Sequence, residues 1–179
     1  MTERSVVIGR DGRAKAYRPL PSDERAAAVA AGLAAYERGD FFDAHEDLEP
    51  AWMGTPDLAE RALLQGLIKV AAAYVHGARG NPNGIVRNLR GARALLVEAA
   101  TTGPAINAAG VDIGLLIGEI DLRLDDLAAH PEGPTLGPPD FVPMRGLAPT
   151  TDFVPTPGLA PTPGLAPTSE PERPRRSAP

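Results

Sequence analysis

Residues 56–79 read PDLAERALLQGLIKVAAAYVHGAR, and this stretch decides the fold class. Leu63, Leu64, Leu67, Ile68, Ala71, Tyr74 and Val75 recur at three- and four-residue spacing, the period of a helix and not of a strand. They cover more than one face, so the segment is predicted as a helix at the centre of its domain. Thr55 and Pro56 mark its start, with proline at the first helical position, where its missing N–H breaks no helical bond. Gly80 ends it. The most apolar portion, 62–78, is interrupted by Gln65, Lys69 and His76. It is shorter and more polar than a bilayer span requires.

Further helices are legible on either side. Toward the N-terminus, a first helix over about 23–38 carries Val29, Leu33 and Tyr36 on one stripe. Ser22 suits its N-cap, and Asp23 and Glu24 suit its positive end. Gly39 is a natural C′ residue, and Asp40 can cap a second helix beginning at Phe41. Toward the C-terminus, Asn81 and Pro82 open a fourth helix with Ile85, Leu89, Ala92, Leu96 and Ala99 on one side. TTGP at 101–104 is a break. A fifth helix over about 109–129 uses Ile113, Leu116, Ile120, Leu124 and Leu127. No segment alternates with period two, although VVI at 6–8 can add a strand or pack on the domain. The expected fold is all-α, a compact bundle of about five helices over 21–130.

An extension at 1–20 precedes this domain, and a tail at 131–179 follows it. The tail repeats: DFVPMRGLAPTT at 140–151 is followed by DFVPTPGLAPTP at 152–163, and GLAPT returns at 164–168. Proline at this density blocks helix and sheet ladders, so the composition predicts a disordered or polyproline II segment. Its Phe-Val-Pro units are candidates for protein docking, set against a solubilising tail without fixed structure.

Composition excludes several classes of function. The chain has no cysteine, which removes disulfides, thiolate metal sites and cysteine nucleophiles. Residues 20–130 hold nine basic and sixteen acidic side chains, a poor match for a phosphate backbone, so no nucleic-acid partner is expected. The start, MTERSVVIGRDGR, lacks an apolar secretory core. A cytoplasmic location and no membrane partner are the expectations, and an Ala-rich bundle of this size can form a homo-oligomer.

The chemistry concentrates in FFDAHEDLEPAW, residues 41–52. His45 and Glu49 are four apart and share a helix face, with Trp52 three further along. Phe41 and Leu48 flank that stripe, so it is expected to face the core. A buried carboxylate needs a partner, a proton or a metal. His and Glu at this spacing can chelate one divalent cation such as zinc. The pattern is HExxE, in which Glu46 holds the position of the general base in HExxH metalloproteases. Two ligands are too few for a stable zinc site, and His76 is the candidate third. Gln65, Lys69 and His76 line one face of the central helix, so a polar pocket of His45, Glu49, Gln65 and His76 forms if that face meets the second helix. Lys69 can instead neutralise Glu49. Pro50 cannot donate to the carbonyl of Glu46, and a kink is expected there. A second constellation, RGNPNGIVRNLRGAR at 79–93, sets Arg87, Arg90 and Arg93 near a helix N-terminus suited to an anion. The alternative is that these arginines pair with Asp40, Asp43 and Asp47, or are solvated.

HEDLEPAW followed by ERALLQGLIKVAAAYVHGARGNPNG resembles the prokaryotic family called domain of unknown function 309. Its His-x-x-x-Glu-x-x-Trp signature is matched by His45, Glu49 and Trp52, and the likeness spans roughly residues 25–125. The resemblance implies a helical bundle and a metal at the signature, and it implies no reaction. Pro50 departs from the helix former usual at that position. Two classes of function therefore stand side by side. One is a metal-dependent, hydrolase-like enzyme in which Glu46 or Glu49 activates water. The other is a non-catalytic structural or interaction module in which His45, Glu49 and Trp52 form a buried hydrogen-bond network.

Overall fold

Helical periodicity dominates the computed structural model, which describes residues 6–8, 12–102 and 109–143. All of these belong to the first of two units, residues 1–147; the second, 148–179, lies outside the described residues. Two short strands, β1 (Val6–Ile8) and β2 (Ala14–Ala16), pair antiparallel as a hairpin, so the VVI segment does add a strand. Five helices follow: α1 (Ser22–Glu37), α2 (Phe41–Gly54), α3 (Leu58–Ala78), α4 (Pro82–Thr101) and α5 (Ile113–Ala129). The fold is the expected all-α bundle.

The helix pairs in substantial contact are sequence neighbours: α1 with α2, α2 with α3, α3 with α4, and α4 with α5. Helix α3 lies between α2 and α4 and is buried along most of its length, from Ala59 to Tyr74. That is the environment its many-sided apolar pattern predicts. Leu48, Leu63, Leu64, Leu67, Ile85, Leu89, Leu96, Leu116 and Ile120 form the fully buried centre. Two glycines set how closely the helices approach. A Cβ on Gly32 of α1 would lie 2.5 Å from Leu48 Cγ of α2, and one on Gly66 of α3 would lie 2.9 Å from Leu96 Cγ of α4.

The helix ends follow local chemistry. Gly39 and Gly80 take positive φ, 83° and 63°. After α1, Asp40 N donates to Ala35 O and Gly39 N to Tyr36 O; after α3, Asn81 N donates to His76 O and Gly80 N to Gly77 O. Both ends are Schellman motifs, which satisfy otherwise orphaned carbonyls. Three caps differ from expectation. Ser22 is already helical, behind Pro21, which makes no side-chain cap bond. Asp40 also makes none; it accepts instead from Arg38 Nε at 3.1 Å. Helix α3 starts at Leu58 and not at Pro56, because Asp57 Oδ1 accepts from Glu60 N at 2.7 Å and takes the N-cap role. Asn81 caps α4 as expected, accepting from Gly84 N at 2.9 Å. Asp112 caps α5, so that helix begins four residues later than the periodicity suggested. The break expected at 101–104 is described only as far as Thr102.

The largest departure lies after α5. Residues 131–143, assigned by composition to the unstructured tail, fold back across the bundle as a strap. The Asp126 carboxylate accepts from Thr135 N at 2.7 Å and Leu136 N at 3.0 Å, and from the Thr135 hydroxyl. Arg123 donates to the carbonyls of Gly137 and Pro138. Phe141 stacks on Tyr36, with ring centroids 3.9 Å apart and planes at 15°. Phe41 and Tyr74 extend this aromatic cluster into α2 and α3. Residues 144–179, with the rest of the predicted tail, lie outside the described residues.

Candidate functional site

Helix α2 runs unbroken through Pro50, so the whole HEDLEPAW segment shares one helical frame. Its buried residues are Ala44, Leu48, Ala51 and Gly54. His45, Glu49 and Trp52 repeat that spacing shifted by one residue, about 100° round the helix. They therefore flank the buried stripe and do not point into it. His45 retains 33% side-chain exposure, and Glu49 and Trp52 are half-buried. The inward-facing expectation fails for a packing reason. Helix α1 approaches α2 at Gly32, where the missing side chain leaves room for Leu48 beside the Ala44 carbonyl, so the Ala44–Leu48–Ala51 stripe takes the inner face.

This rotation assembles a different group of donors. His45, Glu46 and Glu49 each offer a ligand atom, and these atoms lie within 4.8 Å of one another. His45 Nδ1 stands 3.2 Å from Glu46 Oε1. His76 is not in the group. It lies at the end of α3 against α4, with its ring under Gly84 and Nδ1 3.2 Å from Asn81 Nδ2. Lys69, two turns earlier on the same face of α3, lies against Gly91 of α4. The Lys69–His76 face thus meets α4 and not α2, and Gln65 is half-buried on the same helix.

A second polar cluster escaped the sequence reading. Thr55, Glu60 and Arg61 are 0%, 6% and 4% exposed. The Thr55 hydroxyl donates to Glu60 Oε2 and accepts from Asp57 N at 3.3 Å. Arg61 Nη1 donates to the carbonyls of Trp52 at 3.0 Å and Thr55 at 3.1 Å, and its guanidinium sits 5.2 Å from the Trp52 ring centroid. Burial pulls the Arg61 pKa down, but guanidinium keeps its charge in proteins, and the end of α2 supplies carbonyl acceptors where a cation is favoured. The available signal was Asp57 with Glu60 three residues on, a capping-box spacing. The arginine's role had no local signal, because its acceptors are backbone atoms. Trp52, in the last turn of α2, is thus held by Arg61 of α3.

The arginines of α4 divide. Arg93 forks onto Asp121 of α5 through Nε and Nη2, a bidentate pair; Arg87 and Arg90 are exposed. The partner is thus Asp121, and not Asp40, Asp43 or Asp47. The clefts between α2 and α3 and beneath the strap are lined by residues such as Phe41, Tyr74, Arg79 and Tyr36; His45, Glu46 and Glu49 line none of these three.

Residues 29–88 match the family described as Domain of unknown function (DUF309). The similarity is confined to that segment. It runs from within α1 to the first half of α4, and so contains the His45–Glu46–Glu49 group, the Thr55–Glu60–Arg61 cluster and His76. The family assignment drawn from HEDLEPAW is supported, and α5 and the strap lie beyond the matched DUF309 residues. No curated protein and no solved structure matches the chain. Among the described residues, no helix is long and apolar enough to cross a membrane.

Proposed function

We propose that the DUF309 segment binds one divalent transition metal, such as zinc, through His45, Glu46 and Glu49. The observation that carries this reading is the convergence of one imidazole nitrogen and two carboxylate oxygens within 4.8 Å on a single turn of α2. Imidazole and carboxylate together suit zinc and its neighbours. Three protein ligands on one side leave the rest of the coordination sphere to water, the arrangement of an open zinc site. The carbonyl of Glu46, which Pro50 cannot engage, is an acceptor available to such a water. His76 is not required for the ligand count.

Glu46 cannot serve as a ligand and as the general base of an HExxH-like mechanism at the same time. With Glu46 counted among the ligands, the reading favoured is a metal-binding interaction module and not a hydrolase. The test is elemental analysis and zinc titration calorimetry on the untagged full chain. Stoichiometric zinc is expected for the parent and for His76→Ala, with loss of stoichiometric binding in His45→Ala and Glu49→Ala and weakening in Glu46→Gln. A parent chain that binds no metal, or a His45→Ala variant that binds as tightly, would sink the proposal.

A further inference from the structure

Phe42 is 58% exposed, although its neighbour Phe41 packs against Tyr36 and Tyr74. It stands at a cleft of about 320 Å³ between the start of α2 and the end of α3. Phe41, Phe42, Tyr74 and Val75 make the apolar walls. The Tyr74 hydroxyl is engaged by Arg123 of α5, which does not line the cleft, so Tyr74 offers the cleft its ring. Three charged residues share the lining: Asp40 and Asp43 on the α2 side, and Arg79 on the α3 side. Asp40 is already paired with Arg38. The side chains of Asp43 and Arg79 have no partner among the described residues. Helix polarity accounts for their positions, an acid in the first turn of α2 and a base at the C-cap of α3, where the dipoles favour them. It does not account for two opposite charges lining one cleft and leaving each other unpaired.

Small-molecule sites combine apolar walls with a few placed polar groups. Here the walls suit an aliphatic or aromatic side chain, and the Asp43 carboxylate suits an ammonium. The Arg79 guanidinium suits a carboxylate, which its planar fork can hold through two hydrogen bonds. We propose that this cleft binds a free α-amino acid with an apolar side chain, its ammonium on Asp43, its carboxylate on Arg79 and its side chain against Phe42 and Tyr74. The volume lies at the small end of the range of ligand sites, about 300–1,000 Å³, which fits a free amino acid better than a nucleotide. A purely anionic ligand would meet two carboxylates, and a purely cationic one would leave Arg79 without a counter-charge. His45, Glu46 and Glu49 do not line the cleft, so this site is separate from the metal group and does not rest on it.

The experiment is a titration of L-leucine into the full chain, followed by NMR of the Phe41, Phe42 and Tyr74 rings. EDTA is present throughout, so that the outcome is independent of metal. Two analogues are titrated in parallel: isoamylamine, which is leucine without its carboxylate, and isocaproate, which is leucine without its ammonium. Leucine is expected to shift all three rings at millimolar concentration. Each analogue should bind more weakly by about fivefold, the scale of one charged hydrogen bond at an exposed rim. Asp43→Asn should weaken leucine by a similar factor and not weaken isocaproate, whereas Arg79→Gln should weaken leucine and not weaken isoamylamine. Both positions are exposed, so both variants are expected to keep the fold, and the analogues test the same charges without any substitution. Rings that leucine does not shift, equal affinity for leucine and both analogues, or leucine affinity unchanged in either variant overturns the proposal.

Discussion

Thr55 shows how much one hydroxyl can hold at the residue scale. It donates to Glu60 and accepts from Asp57 N, in a turn where Thr55, Glu60 and Arg61 are all buried. Replacing it with valine conserves shape and removes both bonds, leaving a carboxylate oxygen and an amide without their partner. Orphaned buried polar groups cost about 1–3 kcal/mol each. We expect Thr55→Val to lower the free energy of unfolding by roughly that range, measured by urea denaturation; a change within a few tenths would mean that water replaces the hydroxyl. The same scale explains why the site's chemistry was only half legible. His45 and Glu49 are recognisable as a chelating pair from their spacing. Glu46 joins them as a donor only because α2 is rotated to leave all three toward solvent, and rotation is not a property of the residues themselves.

At the scale of the helices, glycine placement separates contact from freedom. Gly32 sits where α1 crosses α2, and a Cβ there would meet Leu48 at 2.5 Å. Gly118 lies inside α5, and a Cβ there would meet nothing within 4 Å. Overpacking of this kind costs about 1–3 kcal/mol, whereas alanine in an open helix interior gains about 0.8–1 kcal/mol over glycine. Gly32→Ala should therefore lower the melting temperature and Gly118→Ala should raise it slightly; movement of both in one direction would contradict the assigned crossing. The helices themselves were legible because their periods, their glycine stops and the Asn81 cap are local. The starts of α3 and α5 were misplaced because Asp57 and Asp112 compete with nearby residues for the cap, and the aspartate that meets a free N–H prevails.

For the whole molecule, the strap closes the bundle between its first and last helices, and its anchor is sensitive to acid. Hydrogen bonds from the Thr135 hydroxyl, then from the Leu136 and Thr135 amides and His130, hold the Asp126 carboxyl at about 2, below its ordinary 3.8. A carboxyl depressed in the folded state contributes stability that is full above its unfolded pKa and lost as pH falls through the folded value. We expect the strap to loosen between about pH 4 and pH 2, read as faster amide exchange at Thr135 and Leu136, with Asp126→Asn already loose at neutral pH. An unchanged exchange rate across that window would remove Asp126 as the anchor. By itself, the sequence determined five helices, their approximate ends and the stretch of chain that carries the chemistry, because each depends on periodicity and capping within a few residues. Tertiary structure alone decided three things. It turned Ala44, Leu48 and Ala51 inward and left His45, Glu46 and Glu49 together outside; it carried His76 to α4; and it laid Phe141 on Tyr36. All three depend on which surfaces meet between separate elements of the chain, as where Leu48 fills the space that Gly32 leaves open.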